Sequence, residues 1–440
     1  MNVLPRISRL RRIAAAGLLA GCVAVCGACS SSSSGSCSGA NTPSSTSKPG
    51  EAGTAGTLAS FTPPADPGKS GILFAASGEV LALTGYPFPP VNDGDPAFVD
   101  GWDVKFTRLL VTVDKITVSN NPDLSPGDQS QFGSIVGEVD GPWAIDLSHS
   151  DPSYLPGKGG AGEEAAPIAA LTNQNRNCNA PFATDGTRYA FGFDIIPATA
   201  KTSDGRATMN VNIDAAGQAD YQTMITNQCA ILYVGTATFK GGTITGHTDC
   251  NSDAEYADWP NVVNFSLCYK SPTTYQNCQN PDNDPAAPIS PDEEHERGIA
   301  LRTDGSVIGQ VTIHTDHPFW DSVLHDSPAH FDQFAARVAG QPSPASVTLE
   351  TTQGVDYTAY TDVHGNKLNW RYCIDPPTDV HPELDGPMAF DPQNIPHASG
   401  NDASSGLRDY YDFTTYNQST QGHLNSDGLC FVKRNYPSPQ

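Results

Sequence analysis

Positive charge is scarce in this sequence. Of its 440 residues only 24 are Lys or Arg, against 48 Asp or Glu, and the formal net charge is −24. Nucleic-acid phosphates demand a basic surface, so a nucleic-acid partner is excluded. The imbalance also excludes a broad electrostatic dock onto anionic lipid headgroups. It suits solubility outside the cytoplasm or an affinity for cations. Long apolar runs are missing: Ile13–Val25 falls short of the roughly 20 residues that a membrane-spanning helix needs. Signatures of nucleophilic and metal-dependent hydrolysis are absent as well, with no G-x-S-x-G elbow and no H-E-x-x-H. "PGKSG" at Pro67–Gly71 lacks the first glycine of a phosphate loop, because Pro63 stands in its place.

What is present begins with an address. Arg6, Arg9, Arg11 and Arg12 precede the apolar Ile13–Val25 run, the layout of an export signal. "LAGC" (Leu19–Cys22) and "CGAC" (Cys26–Cys29) follow the small residues of that run. Over residues 1–29 the chain resembles the bacterial lipoproteins. The resemblance implies a lipid-modified cysteine, Cys22 by its match to the small-residue box, with Cys29 as the alternative beside the serine tract. It further implies a palmitoylated protein held on the cell envelope by that lipid. No Asp follows either cysteine, so the outer membrane is the expected location, with the folded part outside the cytoplasm.

Residues 30–69 are Ser, Gly, Thr, Pro and Ala with almost no large apolar side chain. Such a segment cannot bury enough surface to offset its ordering entropy, so a disordered tether is expected there. Residues 70–440 would form a β-rich ectodomain, with a boundary or large loop at 271–296. Seven cysteines lie beyond the tether, at long spacings without C-x-x-C. In an oxidising compartment these predict disulfides rather than a cysteine zinc site. Cys250–Cys268 is expected as a local bridge and Cys373–Cys430 as a clamp on the C-terminal region.

Strand signals dominate the ectodomain. "GILFAASGEVLALTG" (Gly71–Gly85), "WDVKFTRLLVTVDKITVS" (Trp102–Ser119) and several later segments are rich in β-branched and aromatic residues between Gly, Asp, Asn and Pro clusters. The expected fold is mainly β, a sandwich-like body with one or two short helices. The clearest helix is "SPAHFDQFAARVAG", with Ser327 as N-cap, Pro328 at the first position, and a buried stripe of Phe331, Phe334, Ala335 and Val338.

Chemistry concentrates in "TIHTDHPFWDSVLHDSPAHFD" (Thr312–Asp332), which holds four of the 11 histidines. On a strand, His314 and Asp316 point the same way, about 7 Å apart. If a helical turn begins at Pro318, His317, Asp321 and His325 share one stripe with about 6 Å between neighbours. Imidazole and carboxylate together suit zinc, copper or another first-row divalent ion. The competing reading makes Asp316 or His317 a cap and the other polar residues a solvated face. Elsewhere, Asp93, Asp95, Asp100 and Asp103 form an acidic loop that misses the twelve-residue calcium spacing. "DYYDF" (Asp409–Phe413) and Trp370 with Tyr372 are candidate aromatic platforms for sugar or peptide. Binding rather than catalysis is therefore expected: a divalent transition metal at His314, Asp316, His317, Asp321 and His325. The rivals are a metal-free surface protein that binds a polymer or partner protein, and an extracytoplasmic metal-dependent hydrolase.

Overall fold

The computed structural model describes residues 56–92, 94–172, 182–241, 250, 256–283, 290, 293–322, 327–356, 361–365, 368, 371–374 and 409–435. Cys22, Cys29 and His325 lie outside them. The body is mainly β: two mixed sheets with a few short helices. The larger sheet is built on the 18-residue strand Trp102–Ser119, paired on one side with Ile231–Phe239 and on the other with Trp143–Asp146. Val262–Tyr269 and Ala345–Thr348 extend it. Lys115, at φ 47°, sits within a register shift of the long strand, which goes on to pair with Arg188–Ile195 and Ile135–Val139. One strand thus changes partners along its length, as bulges allow.

The smaller sheet runs Gly428–Leu429, Gly422–Leu424, Val307–Ile313, Ile72–Ser77, Glu164–Leu171, Leu155–Pro156. Its two central strands are parallel, with Val307 opposite Ile72 and Thr312 opposite Ser77. Ile72–Ser77 is buried throughout, which explains its unbroken apolar run. The two sheets share one core, where Phe74 meets Phe191 with ring centroids 5.9 Å apart. Among the described residues no helix is long and apolar enough to cross a membrane.

Several expectations need correction. Glu79–Thr84 is a helix, not a strand continuing from Ile72. It is bracketed by glycines, and a Cβ on Gly78 would meet the Ala82 Cβ at 2.6 Å. A longer helix, Ala215–Asn227, is capped by the Asp214 side chain on the Gly217 N–H and buries Tyr221 and Met224. The helix expected from Ser327 covers only Asp332–Ala335, extended by a 3-10 turn at Ala336–Val338. Its stripe is buried as expected, but Ala329 is bridged to Phe98 and Trp320, which keeps Pro328 and Ala329 extended. The expected tether also ends too late, because Ala59–Ser60 pairs with Met209–Asn210. Thr273–Gln276, in the stretch considered as a boundary, is a strand between Arg188–Ile195 and Phe431–Arg434.

The disulfides are Cys229–Cys268, Cys250–Cys373 and Cys278–Cys430, so neither Cys250–Cys268 nor Cys373–Cys430 forms. Strand register decides this. Ile231–Phe239 and Val262–Tyr269 are antiparallel neighbours, which brings Cys229 beside Cys268. Gln276 pairs with Phe431, which brings Cys278, two residues beyond Gln276, beside Cys430, the neighbour of Phe431. Sequence proximity was the wrong guide.

Candidate metal centre

The parallel strands Ile72–Ser77 and Val307–Ile313 end at the same edge of the smaller sheet. Loops leaving the carboxyl ends of parallel strands are where such sheets gather functional side chains. Glu79 follows the first strand, its N–H held by Ser77 Oγ at 2.9 Å. His314 follows the second, its N–H donated to the Gln421 carbonyl at 3.0 Å. Beside it runs the antiparallel strand Gly422–Leu424, with His423 opposite Thr312.

His317 opens a 3-10 turn, His317–Phe319, with Pro318 in the position where a missing N–H costs nothing. Phe319 anchors that turn in the core against Phe98 and Phe334, with centroids 5.1 and 5.6 Å away. The helix Tyr410–Gln418, capped by Asp409, covers it from outside: Thr414 Oγ1 donates to the Pro318 carbonyl and Asn417 Nδ2 to that of Ser322.

His314, His317 and His423 converge so that one ligand atom from each lies within 4.8 Å of the others. The His314 and His423 rings are stacked at 4.1 Å, and His317 stands nearly perpendicular to both. Two stacked imidazoles repel if both are protonated, so the geometry suits neutral rings or rings on a metal.

Hydrogen bonds preset the tautomers. Thr420 Oγ1 donates to the Asn417 carbonyl at 2.8 Å, so it acts as acceptor for His317 Nδ1, also at 2.8 Å. That leaves the lone pair of His317 on Nε2. His423 Nε2 donates to the Thr420 carbonyl and His314 Nε2 to the Ser426 carbonyl, each at 3.2 Å. Their lone pairs therefore sit on Nδ1. An oxygen acceptor behind each imidazole is how metal-ligating histidines are oriented and made more basic.

Carboxylates surround the imidazoles. Glu79 Oε1 lies 3.5 Å and Asp427 Oδ1 3.9 Å from His314 Nε2. Burial raises the Glu79 pKa above the usual carboxylate range; His314 opposes this, while Asp316, Glu163 and Asp427 add to it. The supporting loops contain backbone that side chains rarely adopt: Glu79 at φ 62°, Asn425 at φ 52° and Ser426 at φ 76°. Gly428 closes the hairpin where a Cβ would sit 2.2 Å from the Gln279 carbonyl oxygen.

Of the five residues singled out in sequence, the structure brings two together. Asp316 turns away to accept from Trp320 Nε1 at 3.0 Å. Asp321 is buried elsewhere, accepting from Tyr372 Oη at 2.8 Å and facing His330 Nε2 at 3.2 Å. The expected helical stripe fails because the helical turn stops at Phe319. His423, Glu79 and Asp427 were missed. His423 is a lone histidine on a three-residue strand, far along the chain, and nothing local marks it.

Asp321 belongs to a second charged cluster, deep in the core. His330 has Asp321 at Nε2 and, 3.9 Å from Nδ1, Asp100 Oδ2. Burial pushes the His330 pKa down, but Asp321, Asp100 and Asp332 outweigh it and the net shift is upward. Burial first, then Asp332, raises Asp100 to about 7. Asp100 accepts from the N–H groups of Phe331 and Asp332, at 2.6 and 2.7 Å, and Asp332 is paired with Arg371 and Trp102 Nε1. The acidic loop considered for calcium is thus partly a core element. Tyr410 and Phe413 are also core residues, not an exposed platform. Trp370 lies outside the described residues.

A pocket of about 410 Å³ is lined by Trp320 and Thr420 with Gln129, Gln279, Arg297 and Cys430. The Arg297 guanidinium is occupied by Glu293 and the Pro122, Ser125 and Pro126 carbonyls, so it does not mark an anion site.

Comparison with protein families, curated proteins and solved structures finds no match to this chain.

Proposed function

We propose that this chain is an envelope-anchored lipoprotein whose β-rich body binds one divalent transition-metal ion, zinc or copper, through His314, His317 and His423. The observation that carries the reading is the convergence of three imidazoles within 4.8 Å, at the carboxyl ends of two parallel strands. The preset tautomers support it, because each ring turns its N–H toward an oxygen acceptor. Nitrogen donors suit zinc and copper over magnesium or calcium, which prefer oxygen. Three protein ligands would leave a coordination position for Glu79 or water. The anchor rests on the "LAGC" signal, with Cys22, or alternatively Cys29, carrying the lipid on the outer membrane.

The test is metal content by mass spectrometry on the oxidised body, beside a His314→Ala/His423→Ala variant. Near-stoichiometric zinc or copper in the parent and its loss in the variant is the expected result. A parent that takes up neither ion after incubation with both would end the metal reading and leave a partner protein or polymer as the ligand class to pursue.

A further inference from the structure

The metal cluster has an outer rim with donors of its own. Glu79, His314 and Asp427 form a second group whose ligand atoms lie within 4.8 Å of one another. His314 belongs to both groups. Exposure falls steadily inward: the Asp427 side chain is 62 % exposed, Glu79 19 % and His314 14 %, whereas His317 and His423 are buried. The charges of Asp316 and of the buried Glu163, which accepts from Gln310 Nε2, also act on Glu79, so the surroundings of the rim are negative.

Resting on the metal-binding reading, we propose that Glu79, His314 and Asp427 form the entry station for that metal. A hydrated divalent cation is captured there and then passes to His314, His317 and His423. Charge does the capturing: a cleft lined by one sign of charge concentrates the opposite ion and speeds its arrival. Carboxylate oxygens of Glu79 and Asp427, 3.5 and 3.9 Å from His314 Nε2, replace some of the hydration shell, and the ion then passes to the lone pair on His314 Nδ1. His314 borders both groups, so the ion passes directly from one to the other. The same field disfavours anionic substrates, so a cation, not a phosphate or carboxylate ester, is what this opening admits. Glu79 and Ser426, both at positive φ, are in contact through a 3.4 Å hydrogen bond beside His314. Strain of this kind persists where surrounding structure dictates side-chain position.

The experiment is stopped-flow loading of zinc into the metal-free body, read with a chromogenic zinc indicator, at several ionic strengths. The parent, Asp427→Asn and Asp427→Glu are compared. The proposal expects Asp427→Asn to load roughly 10-fold more slowly and with a flatter salt dependence. It should still reach one ion per chain, and Asp427→Glu should restore the rate. Loading of Asp427→Asn at the parent's rate overturns the entry station while leaving the histidine site intact. Loss of equilibrium capacity in Asp427→Asn also overturns it, because Asp427 would then be a ligand of the resting ion. A parent that binds no zinc is a different result, which removes the histidine site and the station together.

Discussion

The imidazole of His317 lies against the indole of Trp320, with centroids 3.7 Å apart and planes 28° from parallel. Its Nδ1 is meanwhile held by Thr420 Oγ1, so the ring has little freedom to turn. Thr420→Val keeps the shape but removes the acceptor. Metal affinity should fall about 10- to 100-fold, the usual cost of losing a hydrogen-bond partner behind a ligand. Thr420→Ser should retain it. Competition titration against a zinc chelator of known affinity checks this, and equal affinities for the Val and Ser variants would refute the orienting role.

Metal binding should appear as stability. A ligand that binds only the folded state at 100 times its Kd adds about 2.7 kcal/mol. Zinc should therefore raise the melting temperature of the parent and leave that of His423→Ala unchanged. An equal rise in both would place the ion elsewhere.

The buried Asp100 and His330 give the metal-free protein a pH dependence. Asp100 is raised to about 7 in the folded state, so folding takes up a proton that the unfolded carboxyl releases near pH 4. That stability is present at low pH and lost as pH rises toward 7. His330, also raised, contributes below its unfolded pKa of about 6.5 and loses that contribution as pH climbs through the folded value. Both signs agree: stability should fall as pH rises from 5 to 8, with Asp100 alone contributing on the order of 2 kcal/mol of the loss. Asp100→Asn, which keeps an oxygen acceptor for the Phe331 and Asp332 N–H groups, should flatten the slope. Thermal melts in chelator across this range decide it, and an unchanged slope would rule Asp100 out.

Cys278–Cys430 ties the hairpin that carries His423 to the body and closes a separation of 152 residues. Removing it with Cys278→Ser/Cys430→Ser should cost about 3–5 kcal/mol, since long closed loops constrain the unfolded chain most. It should also weaken zinc binding by loosening one ligand. Denaturant titration and zinc competition on the same variant separate these effects, and unaltered affinity would show that strand pairing alone positions His423.

The sequence made the β class legible because alternation and β-branched runs are local properties. Trp102–Ser119 could be read residue by residue. Two of the three converging imidazoles were legible for the same reason: His314 and His317 are near neighbours at a strand end. The third, His423, depends on register between strands distant in sequence, which no local pattern encodes. His423 meets His314 only because Thr312 pairs with His423, and Asp321 leaves only because the turn stops at Phe319. The disulfides failed in the same way. A local bridge was expected at Cys250–Cys268, while strand pairing gave Cys268 to Cys229.

Glu79 and Ser426 touch across 347 residues of chain, and Thr420 reaches His317 across 103. A site drawn from such distant segments cannot exist in a nascent polypeptide. Its first and last contributors meet only after both sheets have closed and the final hairpin has docked. Metal uptake would therefore act as a checkpoint on assembly: a chain retains the ion only when its C-terminal segment is in place.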